Sequence, residues 1–323
     1  MLYQDSVGSP QGSLLSPLIF LIYIADVELW VDDVRVHGYA DDTQSSYSSE
    51  NEEDIVTRLE ESAKKMLTYM ASNSLSANPK KTGFMMIRKG RSVPKFVTIG
   101  NETIPEAPTH KILGLTINNS LSWDDQIYGT GGVLTSIRQR VGALKRLSYT
   151  IPQEYLPQIA NAIVTSKLRY GLGIYGKARI DENEPKCKQM TDLQTALNKA
   201  LRIVINVKKM DRISNKELYE RTGTLSVNQM CGEDQLRLIW NSLSNQDSPL
   251  IQIFNSDCGP STMLSRSKAR GDLRTTSKTS TGQRNLPHSA ITIWNKFANQ
   301  IKTSDVKQVA KKSIRRCALA LTL

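Results

Sequence analysis

The chain has few of the residues that build stapled or metal-knuckled domains. Its 323 residues include four cysteines, at 187, 231, 258 and 317, and three histidines. No Cys-x-x-Cys pair occurs and no histidine stands at zinc-ligand spacing, which excludes a zinc finger or ribbon. The thiols read as reduced and structural, in an intracellular protein. Long apolar runs are missing too. The longest, Leu18–Ala25, falls far short of the ~20 residues a membrane span needs. It follows the acidic Asp5 and lacks a basic leader, so it does not read as a signal peptide. No internal repeat is visible.

Charge is plentiful and unevenly placed. A chain of this length suggests two or three domains with ample core. The net charge is +11. Residues 1–62 carry 13 acidic and 2 basic residues, residues 63–216 carry 25 basic and 10 acidic, and residues 261–323 carry 13 basic and 2 acidic. An acidic segment followed by basic ones suits metal ions at one end and phosphate backbones along the rest. A basic surface that merely confers solubility has the same composition.

The acidic segment holds Tyr39-Ala40-Asp41-Asp42. Residues 37–40 and 43–47 read as two strands, which puts the carboxylates at the turn of a hairpin, pointing outward together. Adjacent carboxylates are what a phosphoryl-transfer site needs, because Mg²⁺ takes oxygen ligands from one or two carboxylates plus substrate phosphates. A solvated acidic turn has the same local sequence. Upstream, Gly8-Ser9-Pro10-Gln11-Gly12-Ser13 reads as a loop feeding a buried helix, with Ser13 or Ser16 as N-cap and Pro17 in the first turn.

Further along, Asn51–Leu75 reads as an amphipathic helix capped by Asn51, with a buried stripe of Ile55, Leu59, Met66, Leu67 and Met70. Phe84–Ile87 reads as a strand, 97–104 as a hairpin around Gly100-Asn101-Glu102, and Ile112–Ile117 as a strand. Helices follow: Val133–Leu147, one opened by Pro152, then Asp192–Ile205, Asn215–Arg221 and Val227–Ser244. Residues 257–285, rich in Ser, Thr, Gly and basic residues, read as a mobile arm. Two final helices fit 289–301 and 304–321, with Trp294 as a core anchor.

Gly8–Pro17 and then Tyr39–Asp42 resemble the reverse transcriptases of non-LTR retrotransposons, most closely the jockey-like group. Asn78-Pro79-Lys80-Lys81-Thr82 resembles that family's Asn-x-x-Lys-Thr element. Lys111–Ile117 with Leu121-Ser122-Trp123 resembles its primer-grip hairpin. These motifs cover residues 8 to about 125, in order. The resemblance implies an α+β fold in three parts. A partial polymerase palm of antiparallel sheet and packed helices spans 1–123, a helical thumb and connection region 124–256, and a basic, partly flexible region with terminal helices 257–323.

The resemblance also implies roles. Asp41 and Asp42 hold the catalytic Mg²⁺, with Mn²⁺ as an alternative. Tyr39 packs near the primer end. Gln11, Gly12 and Ser13 line the template and nucleotide pocket. Lys81 donates a proton to the leaving pyrophosphate. Leu113 and Gly114 form the hairpin that seats the primer strand. Basic thumb helices grip the duplex. The implied partners are an RNA template, a DNA primer and deoxynucleoside triphosphates, with no membrane; the implied location is the nucleus. Asn118 departs from an acidic position of the family. The family's first palm motif, with another metal-binding Asp, and its fingers belong upstream of Gly8, so the chain reads as a truncated polymerase, inactive alone. Asp26, Asp32 and Asp33 read as solvated charges rather than as the missing ligand. The alternative reading is a non-catalytic nucleic-acid-binding relic or a co-opted protein.

Overall fold

The computed structural model describes residues 12–31, 33–78, 81–88, 90, 93–181, 183–208, 210–245, 248, 250, 286–301 and 307–321. Two units divide the chain: residues 1–110 with 118–120, and residues 111–117 with 121–323.

The first unit begins with α1 (Ser16–Tyr23) and α2 (Val27–Trp30), then the hairpin β1 (Arg35–Tyr39) and β2 (Asp42–Ser46). α3 (Glu52–Ser72) follows, and then the hairpin β3 (Phe96–Ile99) and β4 (Glu102–Pro105). The Asn51 side chain caps α3 by accepting from the Glu53 N–H at 2.9 Å, and three acidic residues in the first turn suit the positive end of the helix dipole. Two small cores lie along this helix. Phe84, Met86, Val97 and Ile104 pack with Ile55, Val56 and Leu59. Val31, Val36 and Met66 pack with Val27, Val34 and Met70. Tyr69 is also fully buried.

Several expectations need correcting. α1 is not buried: Leu14, Leu18, Ile19 and Ile22 are exposed, Ile22 to 77%. Its sequence is apolar on every side, so no single stripe is marked for a core, and no described element covers it. Its N-cap is Leu15, without a side-chain cap, rather than Ser13 or Ser16. Phe84–Ile87 forms one isolated bridge, Phe84 to Glu106, instead of a strand. Residues 112–117 do not make a single strand. Leu113 (φ +46°) and Gly114 (φ +81°) turn the chain between β5 (Thr109–Ile112) and β6 (Leu115–Asn118), as a two-residue primed turn requires. The described strands form three two-stranded sheets, and the coarser α+β class holds. No described helix is long and apolar enough to cross a membrane. The expected mobile arm at 257–285 lies outside the described residues.

The second unit is helical: α4 (Asp124–Tyr128), α5 (Val133–Leu147), α6 (Leu156–Ala160), α7 (Ser166–Arg169), α8 (Leu172–Tyr175), α9 (Lys188–Val204), α10 (Asn215–Thr222), α11 (Val227–Ser244), α12 (Leu286–Ile301) and α13 (Lys307–Leu319). Between α6 and α7 the chain stays helical with a wider π turn, Asn161–Thr165. α11 packs against α8, α12 and α13, and α5 against α9. Ile137, Leu144, Leu168, Leu193, Leu236 and Trp294 are fully buried in one continuous core, each such aliphatic side chain contributing roughly 1.5–3 kcal/mol. Ser226 and Gln229 close a capping box at the start of α11.

Glu233 ties this unit together. Its side chain is 1% exposed and receives Arg237 at 2.7 Å, Arg169 at 2.9 Å and Arg315 at 3.1 Å, from α11, α7 and α13. Burial pushes the carboxyl up, but the Arg237 hydrogen bond and the charges of Arg169, Arg237 and Arg315 carry it below its ordinary value of 4.5. The neighbouring Asp234 is raised, because burial outweighs its contact with Arg169.

Two predictions follow from packing. Glu233→Gln leaves three guanidiniums short of a buried partner and should cost about 3–5 kcal/mol in chemical denaturation. A carboxyl whose folded pKa lies below its unfolded one stabilises above the unfolded value, and that stabilisation is lost as pH falls through the folded value. The wild type should therefore lose stability relative to Glu233→Gln as pH drops below about 4.5. A constant gap across pH 3–6 would contradict this. In the β1–β2 turn, Ala40 is held at φ +52°. Relieving that left-handed strain by Ala40→Gly should raise stability by about 1 kcal/mol; a loss of stability would show that the turn is not strained.

Candidate active site

The β1–β2 register is Arg35↔Ser46, Val36↔Ser45, His37↔Gln44, Gly38↔Thr43 and Tyr39↔Asp42. Side chains alternate across a strand pair. Val36 faces the small core, so Tyr39, His37, Asp42 and Gln44 share the opposite face. Ala40 and Asp41 form the turn, and Asp42 opens β2. The hairpin thus brings together Tyr39, Asp41 and Asp42, all exposed. Among the described residues, no hydrogen bond or ion pair joins a side chain to the Asp41 or Asp42 carboxylate.

The nearby carboxylates are engaged elsewhere. Asp26 accepts the Tyr69 hydroxyl at 2.5 Å; burial, and then that hydrogen bond, push Tyr69 up to about 12, so the tyrosine is a neutral donor. Asp33 holds Lys65 at 2.7 Å, with Arg58 at 3.8 Å. Asp32 lies outside the described residues. Both described carboxylates therefore have structural partners that the sequence alone did not reveal.

Gly12 is exposed at φ +86° with open space where a Cβ would stand, and Ser13 Oγ accepts the Leu15 N–H at 3.2 Å. Gln11 lies outside the described residues. Lys81 is exposed; its backbone N–H donates to the Asn78 carbonyl at 3.0 Å, and its ammonium has no partner among the described residues. No hydrogen bond joins Ser13 or Lys81 to the hairpin carboxylates.

Leu113 and Gly114 belong to the second unit. There the Leu113 carbonyl accepts the Tyr170 hydroxyl at 2.5 Å, and a Cβ on Gly114 would stand 3.3 Å from the Tyr170 ring. Gly114 is thus needed both for its positive φ and for this close approach. Tyr170 is 57 positions away from the turn it braces, and no local sequence signal marks it.

Two exposed, acceptor-only carboxylates fit a hard divalent cation, which binds through one or two carboxylates and completes its shell with water and phosphate oxygens. Among the described residues no group of three or more His, Cys, Asp or Glu gathers to hold a metal alone.

Comparison with known proteins bears on this region. Residues 3–117 match the family "Reverse transcriptase (RNA-dependent DNA polymerase)". The chain is 24% identical over 186 residues to the "Probable RNA-directed DNA polymerase from transposon X-element" of Drosophila melanogaster, covering 54% of this chain and 20% of that protein. It is 25% identical over 231 residues to the "RNA-directed DNA polymerase from mobile element jockey" of the same organism, covering 67% of this chain and 23% of that protein. The chain thus spans about a fifth of the length of these relatives. No solved structure matches it. The similarity to the reverse transcriptase family is thus carried by residues 3–117, and both relatives bear the name of an RNA-directed DNA polymerase of a transposon or mobile element.

Proposed function

We propose that this chain supplies the metal-binding hairpin and a duplex-gripping helical region to an RNA-directed DNA polymerase. The observation that carries the reading is the Asp41–Asp42 pair, exposed on a tight hairpin without a cationic partner among the described residues, inside the segment that matches the reverse transcriptase family. In this reading 1–123 form part of the palm, 124–256 the thumb and connection, and 257–323 a basic carboxy-terminal region.

A bound divalent cation, Mg²⁺ or Mn²⁺, would stabilise charge on the attacking and leaving oxygens as the primer 3′-hydroxyl displaces pyrophosphate. Asp41 would hold it and Asp42 would support Asp41. Lys81, whose ammonium has no partner among the described residues, donates a proton to the leaving pyrophosphate. Tyr39 packs near the primer end, Gln11, Gly12 and Ser13 line the template and nucleotide pocket, and Leu113 and Gly114 seat the primer. The substrates are an RNA template, a DNA primer and deoxynucleoside triphosphates, in the nucleus.

The described residues gather no third acidic ligand, and a two-metal site needs converging carboxylates at short range. The purified 323-residue polypeptide should therefore give no more than trace extension of a primed RNA template. Robust extension that disappears in Asp41→Ala would overturn this expectation while supporting the role of Asp41.

A second reading, a non-catalytic nucleic-acid-binding protein, is favoured by α5. Arg138, Lys145 and Arg146 are exposed there and have no partner among the described residues, beside the exposed Tyr149. Arg140 is different: it donates to the Ile163 carbonyl at 2.9 Å and braces the core. Each phosphate contact adds about 0.9 to the slope of log affinity against log salt. Replacing Arg138, Lys145 and Arg146 by Ala should lower that slope by up to ~3, whereas Arg140→Ala should lower stability instead. Binding insensitive to salt would contradict both readings of this helix.

A further inference from the structure

The helical unit contains a cavity of about 350 Å³, within the range of small-molecule sites, ~300–1,000 Å³. Its polar lining includes Arg169, Arg315, Asn161 and Thr165, and its apolar lining includes Leu201 and Met230. Glu233 and Asp234 do not line it. They hold the arginines in place: Arg169 Nη2 donates to Glu233 at 2.9 Å and to Asp234 at 2.5 Å, and Arg315 Nη1 donates to Glu233 at 3.1 Å.

A guanidinium carries five N–H donors. The remaining donors of Arg169 and Arg315 have no partner among the described residues. Arg169, Arg237 and Arg315 face two carboxylates, so the cluster keeps one positive charge in excess. Thr165 is only 7% exposed, yet its hydroxyl makes no hydrogen bond with a described residue. Asn161 and Thr165 are the first and last residues of the π turn. Such turns are rare and recur at functional sites; here the turn delivers both polar groups to the cavity.

We propose that this cavity binds a phosphomonoester, with Arg169, Arg315, Asn161 and Thr165 holding the phosphate and Leu201 and Met230 meeting the apolar body of the ligand. Planar guanidiniums fixed by carboxylates match phosphate oxygens in charge and shape. The ester could be a free mononucleotide or the phosphorylated end of a strand; the chemistry recognised is the same.

The test is calorimetric titration of the full chain with adenosine 5′-monophosphate, inorganic phosphate and adenosine. Saturable binding of the monophosphate is expected, with inorganic phosphate at least ~10-fold weaker and adenosine silent. Arg315→Met leaves Glu233 paired with Arg169 and Arg237 and should weaken binding at least ~10-fold. Thr165→Val, nearly equal in shape, provides a second variant and should weaken it ~5-fold. Absence of saturable binding, affinity unchanged in both variants, or inorganic phosphate binding as tightly as the monophosphate would overturn the proposal. If a 5′-phosphorylated oligonucleotide displaces the monophosphate and its 5′-hydroxyl twin does not, the source is a strand end. If neither competes, the source is a free nucleotide.

Discussion

The helical unit depends on one buried carboxylate. Glu233 meets guanidiniums from α7, α11 and α13, the farthest of them 82 positions from it in sequence. Removing it from water is costly, and only several well-placed donors offset that cost. The three arginines supply them, and the same contacts hold α13 against α11. Around this polar knot the core is aliphatic and continuous, so the fold combines a non-directional driving force with one directional lock.

The first unit shows the opposite arrangement. Its cores are small, and its most distinctive residues face solvent. Asp41 and Asp42 place like charges side by side at a turn whose first residue, Ala40, is strained. Neither feature helps folding: adjacent negative charges repel, and a left-handed alanine costs about 1–2 kcal/mol. Strain of this kind clusters where a ligand is bound. Asp26 and Asp33, by contrast, hold a tyrosine hydroxyl and basic side chains. Carboxylates close together in sequence thus divide into structural partners and a couple without an ion-pair partner among the described residues.

Local signals in the sequence were sufficient where geometry is local. The 3.6-residue periodicity of α5 and α11 marked both helices with the ends they have, Val133–Leu147 and Val227–Ser244. Asn51 announced its own cap, and Gly100-Asn101-Glu102 the turn of the β3–β4 hairpin, although Glu102 already belongs to β4. Where position depends on distant partners, the sequence was silent. Leu113 gives no turn signal, because an apolar residue at positive φ is uncommon and its brace, Tyr170, lies in the turn between α7 and α8, 57 positions away. The apolar run of α1 read as core, but hydrophobicity does not say whether a partner exists. The Glu233 knot and the Arg169–Arg315 cavity arise only when α7, α11 and α13 meet. The hairpin carboxylates were legible as a motif; that they stand apart from every described cation was not.

The central claim is that the β1–β2 turn carries the divalent cation. The most direct measurement is titration of the isotope-labelled chain with Mn²⁺, following paramagnetic broadening of backbone amide signals. Broadening centred on residues 39–43 of the wild type, and absent from Asp41→Asn/Asp42→Asn, is the predicted result. Broadening centred instead on Asp26 or Asp33, or a pattern unchanged by the double substitution, would contradict it.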